Sequence, residues 1–166
     1  MGATWEPELA EEMSSIIGQE SRAVGITSAM SPVIDVSRDP RWGRITETYG
    51  EDAALTSCHG ICLCKRNSGD ELKEWGFGDC KTFCRSRYQQ RAVLIMGRNI
   101  VSERDMREIH CKPFQCAITE AGLKSVMNSY CSVNGEPVVG SKKMLTDILR
   151  GEMGFQGFVV SDSFVT

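Results

Sequence analysis

The sequence predicts an α/β fold built on parallel strands. Helical and strand-like segments alternate along the chain with short connections, the pattern that crossover helices impose on a parallel sheet. Two strand-like segments also run straight into polar and charged residues. Residues 32–36 open onto Arg38, Asp39, Arg41 and Arg44, and residues 158–160 onto Ser161 and Asp162. Functional groups at the carboxyl ends of strands are how α/β layers and barrels build their sites.

The elements follow in order. Residues 6–24 carry Leu9, Met13, Ile16, Ile17 and Ala23 at helical spacing, which predicts an amphipathic helix. Glu8, Glu11 and Glu12 near its start complement the helix dipole, and Gly25 is the expected cap. Residues 32–36, Pro-Val-Ile-Asp-Val after the turn-former Ser31, are short and β-branched and predict a strand. Pro40 and Gly43 deny regular structure to the loop beyond it. A second helix starts near Asp52 and runs through Ala53, Ala54, Leu55 and Ile61. A third covers residues 103–121, with Met106, Ile109, Phe114 and Ile118 on one face, Ser102 as its cap and Gly122 as its stop. Pro113 should kink or divide it. Residues 124–130 read as a strand, and Asn134-Gly135-Glu136-Pro137 as a turn. Residues 142–152 form a helix with Met144, Leu145, Ile148 and Leu149, closed by Gly154. The apolar residues 158–160 are the last strand.

With 166 residues and a net charge of −3, the chain holds one core. The mildly acidic balance argues against nucleic acid or an anionic membrane as partner. No apolar run reaches the length of a membrane-spanning helix, and the N-terminus lacks the basic start and apolar stretch of a signal peptide, so the compartment is left open. Trp5-Glu6-Pro7 reads as the start of a helix in the middle of a fold, which leads us to expect that Met1 is not the natural beginning. Eight cysteines are many for this length, and Cys58, Cys62, Cys64, Cys80 and Cys84 crowd together. Their spacing lacks the paired C-x2-C knuckles of zinc sites, although His59 keeps a metal-binding, thiol-rich reading open.

RDPRWGR (residues 38–44), followed by E-T-Y-G-E-D, resembles the signature of the glycoside hydrolase family 3 N-terminal domain, the family of β-glucosidases and β-xylosidases. The resemblance recurs in MNSY (127–130), in ERDMREIHCKPFQCAI (103–118) and in LTDILRGEMGFQGFVVSD (145–162), and covers residues 5–60 and 103–162. It implies a TIM-type (β/α)8 barrel. Such a barrel takes about 200 residues or more, so the expectation is an incomplete barrel, its central portion only, with residues 1–166 a partial domain.

The resemblance also implies roles. Asp162, in the V-S-D motif, corresponds to the nucleophile of a retaining glycosidase, which attacks the anomeric carbon while a second carboxyl group about 5 Å away handles the leaving oxygen. On spacing alone Asp162 is also placed to cap a following helix. The family has an aromatic residue after this Asp, where this chain has Ser163. Arg44 would donate to sugar hydroxyls, or, on local chemistry, pair with Glu47 or Asp39. Met127 and Tyr130 would line the sugar site, Tyr130 bonding the nucleophile; by residue type alone Met127 is core packing. Trp42 is placed to stack on a sugar or to brace its loop, and Arg38 and Asp39 read as braces. Glu47, Glu51 and Glu136 match no acid/base motif, and the family draws that group from a later loop or a second domain. The implied substrate is a β-glucoside or β-xyloside, with no metal and no organic cofactor, because two carboxylates supply the chemistry.

Residues 62–101 break the resemblance. The family expects Lys-His-Phe here, where the chain has Cys80-Lys81-Thr82-Phe83-Cys84-Arg85. Codons permitted for those residues, TGC AAA ACA TTT TGT AGG, give Ala-Lys-His-Phe-Val-Gly when read one base later. The same shift applied to Cys62-Leu63-Cys64-Lys65-Arg66-Asn67-Ser68 permits Val-Tyr-Val-Lys-Gly-Ile-Gln. We therefore expect compensating frameshifts in this stretch, with the clustered cysteines as by-products. The rival is a genuine basic, Cys-rich insertion that binds metal or nucleic acid. As written, the chain is expected to be inactive: it lacks the Lys-His pair and the acid/base, and its open barrel edges invite aggregation. The other readings are a non-catalytic carbohydrate-binding or structural remnant, and a Cys-rich metal-binding protein.

Overall fold

The computed structural model describes residues 1–26, 28–67, 79–80 and 98–161. Helix α1 spans Pro7–Ala23 and α2 spans Ala53–Asn67. Strands β1 (Asp79–Cys80) and β2 (Arg98–Asn99) come next, then α3 (Glu103–Asp105) and α4 (Lys112–Ala121). β3 (Ser125–Met127), β4 (Ser132–Val133) and β5 (Glu136–Pro137) follow, then helix α5 (Lys143–Glu152) and β6 (Phe158–Val160).

The helix boundaries lie where local chemistry puts them. In α1, Pro7 sits at the first turn, where its missing N–H costs nothing. The far end closes on Gly25 at φ +80°, with the Ile26 N–H donating to the Ser21 carbonyl and the Gly25 N–H to that of Arg22. This paired arrangement needs a left-handed residue and satisfies two orphaned carbonyls. The Asp52 Oδ1 accepts from the Leu55 N–H at 2.7 Å, and the Ser102 Oγ from the Asp105 N–H at 3.0 Å. Ahead of Pro113 the third helical stretch divides as expected: α3 passes into a wide turn over Met106–His110, and α4 restarts at Lys112. In that turn the Cys111 N–H reaches back five residues to the Met106 carbonyl, and α5 is wound the same way.

The parallel sheet runs β1-β3-β6. Ser125, Val126 and Met127 pair in register with Phe158, Val159 and Val160. A second small sheet pairs β2 parallel to β4, and β4 antiparallel to β5. Its hairpin turns at Asn134-Gly135, both at positive φ, as the right-handed twist of a two-residue hairpin requires. The Asn134 side chain also clamps the neighbouring chain. Its Oδ1 accepts from the Val101 N–H and its Nδ2 donates to the Val101 carbonyl. The core gathers Phe114, Val126, Ile148, Leu149 and Phe155, each 1% exposed or less, between α4, α5 and β3.

One expectation is corrected, and one helix packs in a way its spacing did not specify. Residues 32–36 are buried as expected but form no ladder with any described residue, so among the described residues they stand as an extended core segment. A strand is defined by a neighbour that takes its N–H and C=O groups, and side-chain pattern alone cannot supply one. In α1 the apolar stripe faces outward: Leu9, Met13, Ile16 and Ile17 are 38–51% exposed. The small residues Ala10, Ser14 and Gly18 face inward instead, where α1 packs on α2. There the Ser14 hydroxyl donates to the Leu63 carbonyl at 2.8 Å.

Candidate functional site

The charged loop after residue 36 is closed at its base, where the Ser37 N–H donates to the Gly50 carbonyl. Between these ends the chain folds into a compact loop whose own groups hold it, in the manner of an Ω-loop. Asp39 accepts three times from Arg41: from its backbone N–H at 3.0 Å, from Nε at 2.9 Å and from Nη2 at 2.6 Å. Tight turns then succeed one another, with the N–H groups of Trp42, Ile45, Glu47 and Thr48 each reaching three residues back. Trp42 is 3% exposed. It braces the loop and presents no open face for a sugar to stack on.

Arg44 precedes the 3-10 turn Ile45–Glu47. Residues three apart eclipse one another in such a turn, which brings Glu47 over Arg44. The guanidinium meets the carboxylate along one edge, Nε to Oε1 at 2.7 Å and Nη2 to Oε2. Of the two local partners the sequence allowed for Arg44, the turn brings Glu47 against it, and Asp39 accepts from Arg41. The Arg44 side chain is 18% exposed and that of Glu47 is 42% exposed.

Met127 is the last residue of β3, 3% exposed and paired with Val160 at the end of β6. The register continues one step into the loop, where the Asn128 N–H donates to the Val160 carbonyl at 3.1 Å. The Ser129 hydroxyl then accepts from the Cys131 N–H at 3.1 Å and tightens the turn that carries half-buried Tyr130. Asp162, two residues beyond β6, lies outside the described residues, as do Ser163, Lys81 and Cys84.

The sequence reading missed His110. It is 2% exposed, at the end of the wide turn Met106–His110. Burial lowers its pKa to about 4, with Arg38 of the charged loop pushing the same way and Asp105 opposing. The available signal was its spacing of four residues from Met106.

His59 is fully buried; its Nδ1 lies 3.0 Å from the Leu55 carbonyl, and its ring stacks on Tyr49 with centroids 5.2 Å apart. That is a packing role. Half-buried Cys62 has its thiol pushed up by burial first and then by Glu11, which makes it a poorer thiolate ligand. Among the described residues no three His, Cys, Asp or Glu side chains come close enough to hold a metal, and no helix is long and apolar enough to cross a membrane.

Comparison with known proteins supplies the wider frame. The model of the Glycosyl hydrolase family 3 N terminal domain matches residues 1–67 and 95–166, and the unmatched interval lies inside residues 62–101. A beta-xylosidase of Formosa agariphila is 38% identical over 97% of this chain, which corresponds to 23% of that protein. A probable beta-glucosidase I of Neosartorya fischeri is 36% identical over 100% of this chain and 19% of its own length. Among solved structures, the beta-glucosidase of Listeria innocua in complex with isofagomine superposes with a TM-score of 0.89 at 32% identity, over 97% of this chain and 23% of that one. Beta-glucosidase 3B of Thermotoga neapolitana in complex with glucose superposes with a TM-score of 0.83 at 31% identity, over 97% and 22%. The chain thus spans about a fifth of the length of these relatives.

Proposed function

On the premise that the chain belongs to the Glycosyl hydrolase family 3 N terminal domain, we propose that it carries the nucleophile and part of the sugar site of a retaining β-glycosidase. The substrate is a terminal β-linked glucoside or xyloside. Asp162 is the nucleophile, and Arg44, Met127 and Tyr130 surround the sugar. β1, β3 and β6 are staves of an incomplete (β/α)8 barrel. The observation that supports this reading is the parallel register of β3 and β6, which sets Met127 beside Val160, two residues short of Asp162.

The chemistry follows from the groups. The Asp162 carboxylate attacks the anomeric carbon and forms a glycosyl ester as the leaving oxygen departs with a proton from a second carboxyl group. Water, deprotonated by that second group, then releases the sugar. The Tyr130 hydroxyl donates to the nucleophile and holds it in line. Arg44 donates to adjacent sugar hydroxyls, a task its planar fork suits. Met127 forms the apolar wall. The acid/base is not assigned within residues 1–166, and Glu47, the carboxylate nearest to Arg44, is committed to that guanidinium. The chain by itself should therefore bind sugar without turning it over.

Titration of the purified chain with isofagomine by calorimetry tests this, with Arg44→Ala and Asp162→Asn alongside and a chromogenic β-glucoside assayed in parallel. Saturable binding that weakens in both variants, without turnover, is the expected result. Turnover that depends on Asp162 would overturn the expectation that the chain alone is inactive. Binding that ignores both substitutions would favour a remnant that holds carbohydrate elsewhere.

A further inference from the structure

We propose that Glu47 is a positioning residue for the sugar site: it sets the plane of the Arg44 guanidinium and so decides which hydroxyl pair Arg44 reads. The inference rests on the function proposed above and goes one residue further. An arginine carries five N–H donors along three edges of a rigid plane. Glu47 engages the edge made by Nε and Nη2, with both of its carboxylate oxygens. Two-point contact of a planar fork with a planar carboxylate leaves no rotation about the guanidinium axis, so the other donors point in defined directions. The local turn makes this contact intrinsic to the loop, because Arg44 and Glu47 bracket a single 3-10 turn.

Asp39 accepts three donors of Arg41, one from its backbone and two from its guanidinium. Arg44 is also the more enclosed member of its pair, at 18% against 42% exposed. As a source of stability such a pair is worth little. As a source of order it removes rotamer freedom that a sugar would otherwise have to remove on binding.

The test uses the full chain and isofagomine, with wild type compared to Glu47→Gln, Glu47→Ala and Arg44→Ala. The order of the Arg44 side chain is followed through its Nε–Hε resonance, which does not depend on sugar. Glu47→Ala should expose that proton to rapid exchange and weaken isofagomine binding about tenfold. Glu47→Gln keeps one acceptor and should fall between. If Arg44→Ala weakens binding while Glu47→Ala leaves it equal or tighter, the positioning role is overturned and the function stands. If Arg44→Ala has no effect, or the wild-type chain does not bind, the sugar reading of Arg44 fails and this inference fails with it.

Discussion

A buried histidine gives the most direct handle on the chemistry of single residues. His110 is held neutral by burial and by the nearby Arg38 cation, with a folded pKa of about 4 against an ordinary 6.5. The unfolded chain therefore binds a proton between those two values that the folded chain does not. Stability conferred by the neutral form is complete above pH 6.5, falls as pH drops through the window, and levels off below about pH 4. The size of the effect is about 3 kcal/mol, from the free energy of a shift of that size. Urea midpoints measured at pH 7 and pH 4.5 should show this slope in wild type and a flatter one in His110→Gln. An unchanged slope would assign the acid sensitivity to the carboxylates. His110 was hard to see in the sequence for a physical reason. Regular helical spacing admits both Ile109 and His110 to the face of Met106, and the wide turn over Met106–His110 leaves His110 buried and Ile109 half-buried.

Among the elements, α1 shows how amphipathic pattern and packing part company. Its large apolar residues are on the open side, while Ala10 and Gly18 allow close approach to α2. Ala10→Leu should cost about 1–3 kcal/mol through overpacking. Ile16→Glu, on the exposed side, should stay within about 0.5 kcal/mol of wild type. Thermal or urea unfolding of the two variants reads the contrast directly, and a reversed order would put the stripe inside. The helix ends were legible because caps are local: Ser102, Asp52 and Gly25 act within a few residues of themselves. Residues 32–36 were legible as core but not as a ladder, since a strand partner lies elsewhere in the chain.

At the scale of the whole molecule the two matched stretches, residues 1–67 and 95–166, flank the interval where the sequence departs from its family. We propose that compensating frameshifts account for that interval. Sequencing the coding DNA across residues 57–102 should yield codons that read Lys-His-Phe one base later, and codons that forbid this reading would end the proposal. Stoichiometric, tight zinc binding by the purified chain would instead support a genuine Cys-rich insertion. Corrected DNA would also restore the Lys-His pair where residues 81–82 now read Lys-Thr.

By itself the sequence determined the family, through RDPRWGR, MNSY and the VVSD strand end, together with the helix boundaries and the buried character of residues 32–36. These are matters of short motifs and of groups a few residues apart. Tertiary structure alone decided which face of α1 is covered, how Met127 meets Val160 across the sheet, and how Asn134 clamps Val101. Each of these choices lay between partners of similar local chemistry. Only the path of the backbone, set by packing between distant segments, brings one partner within reach and holds the other away.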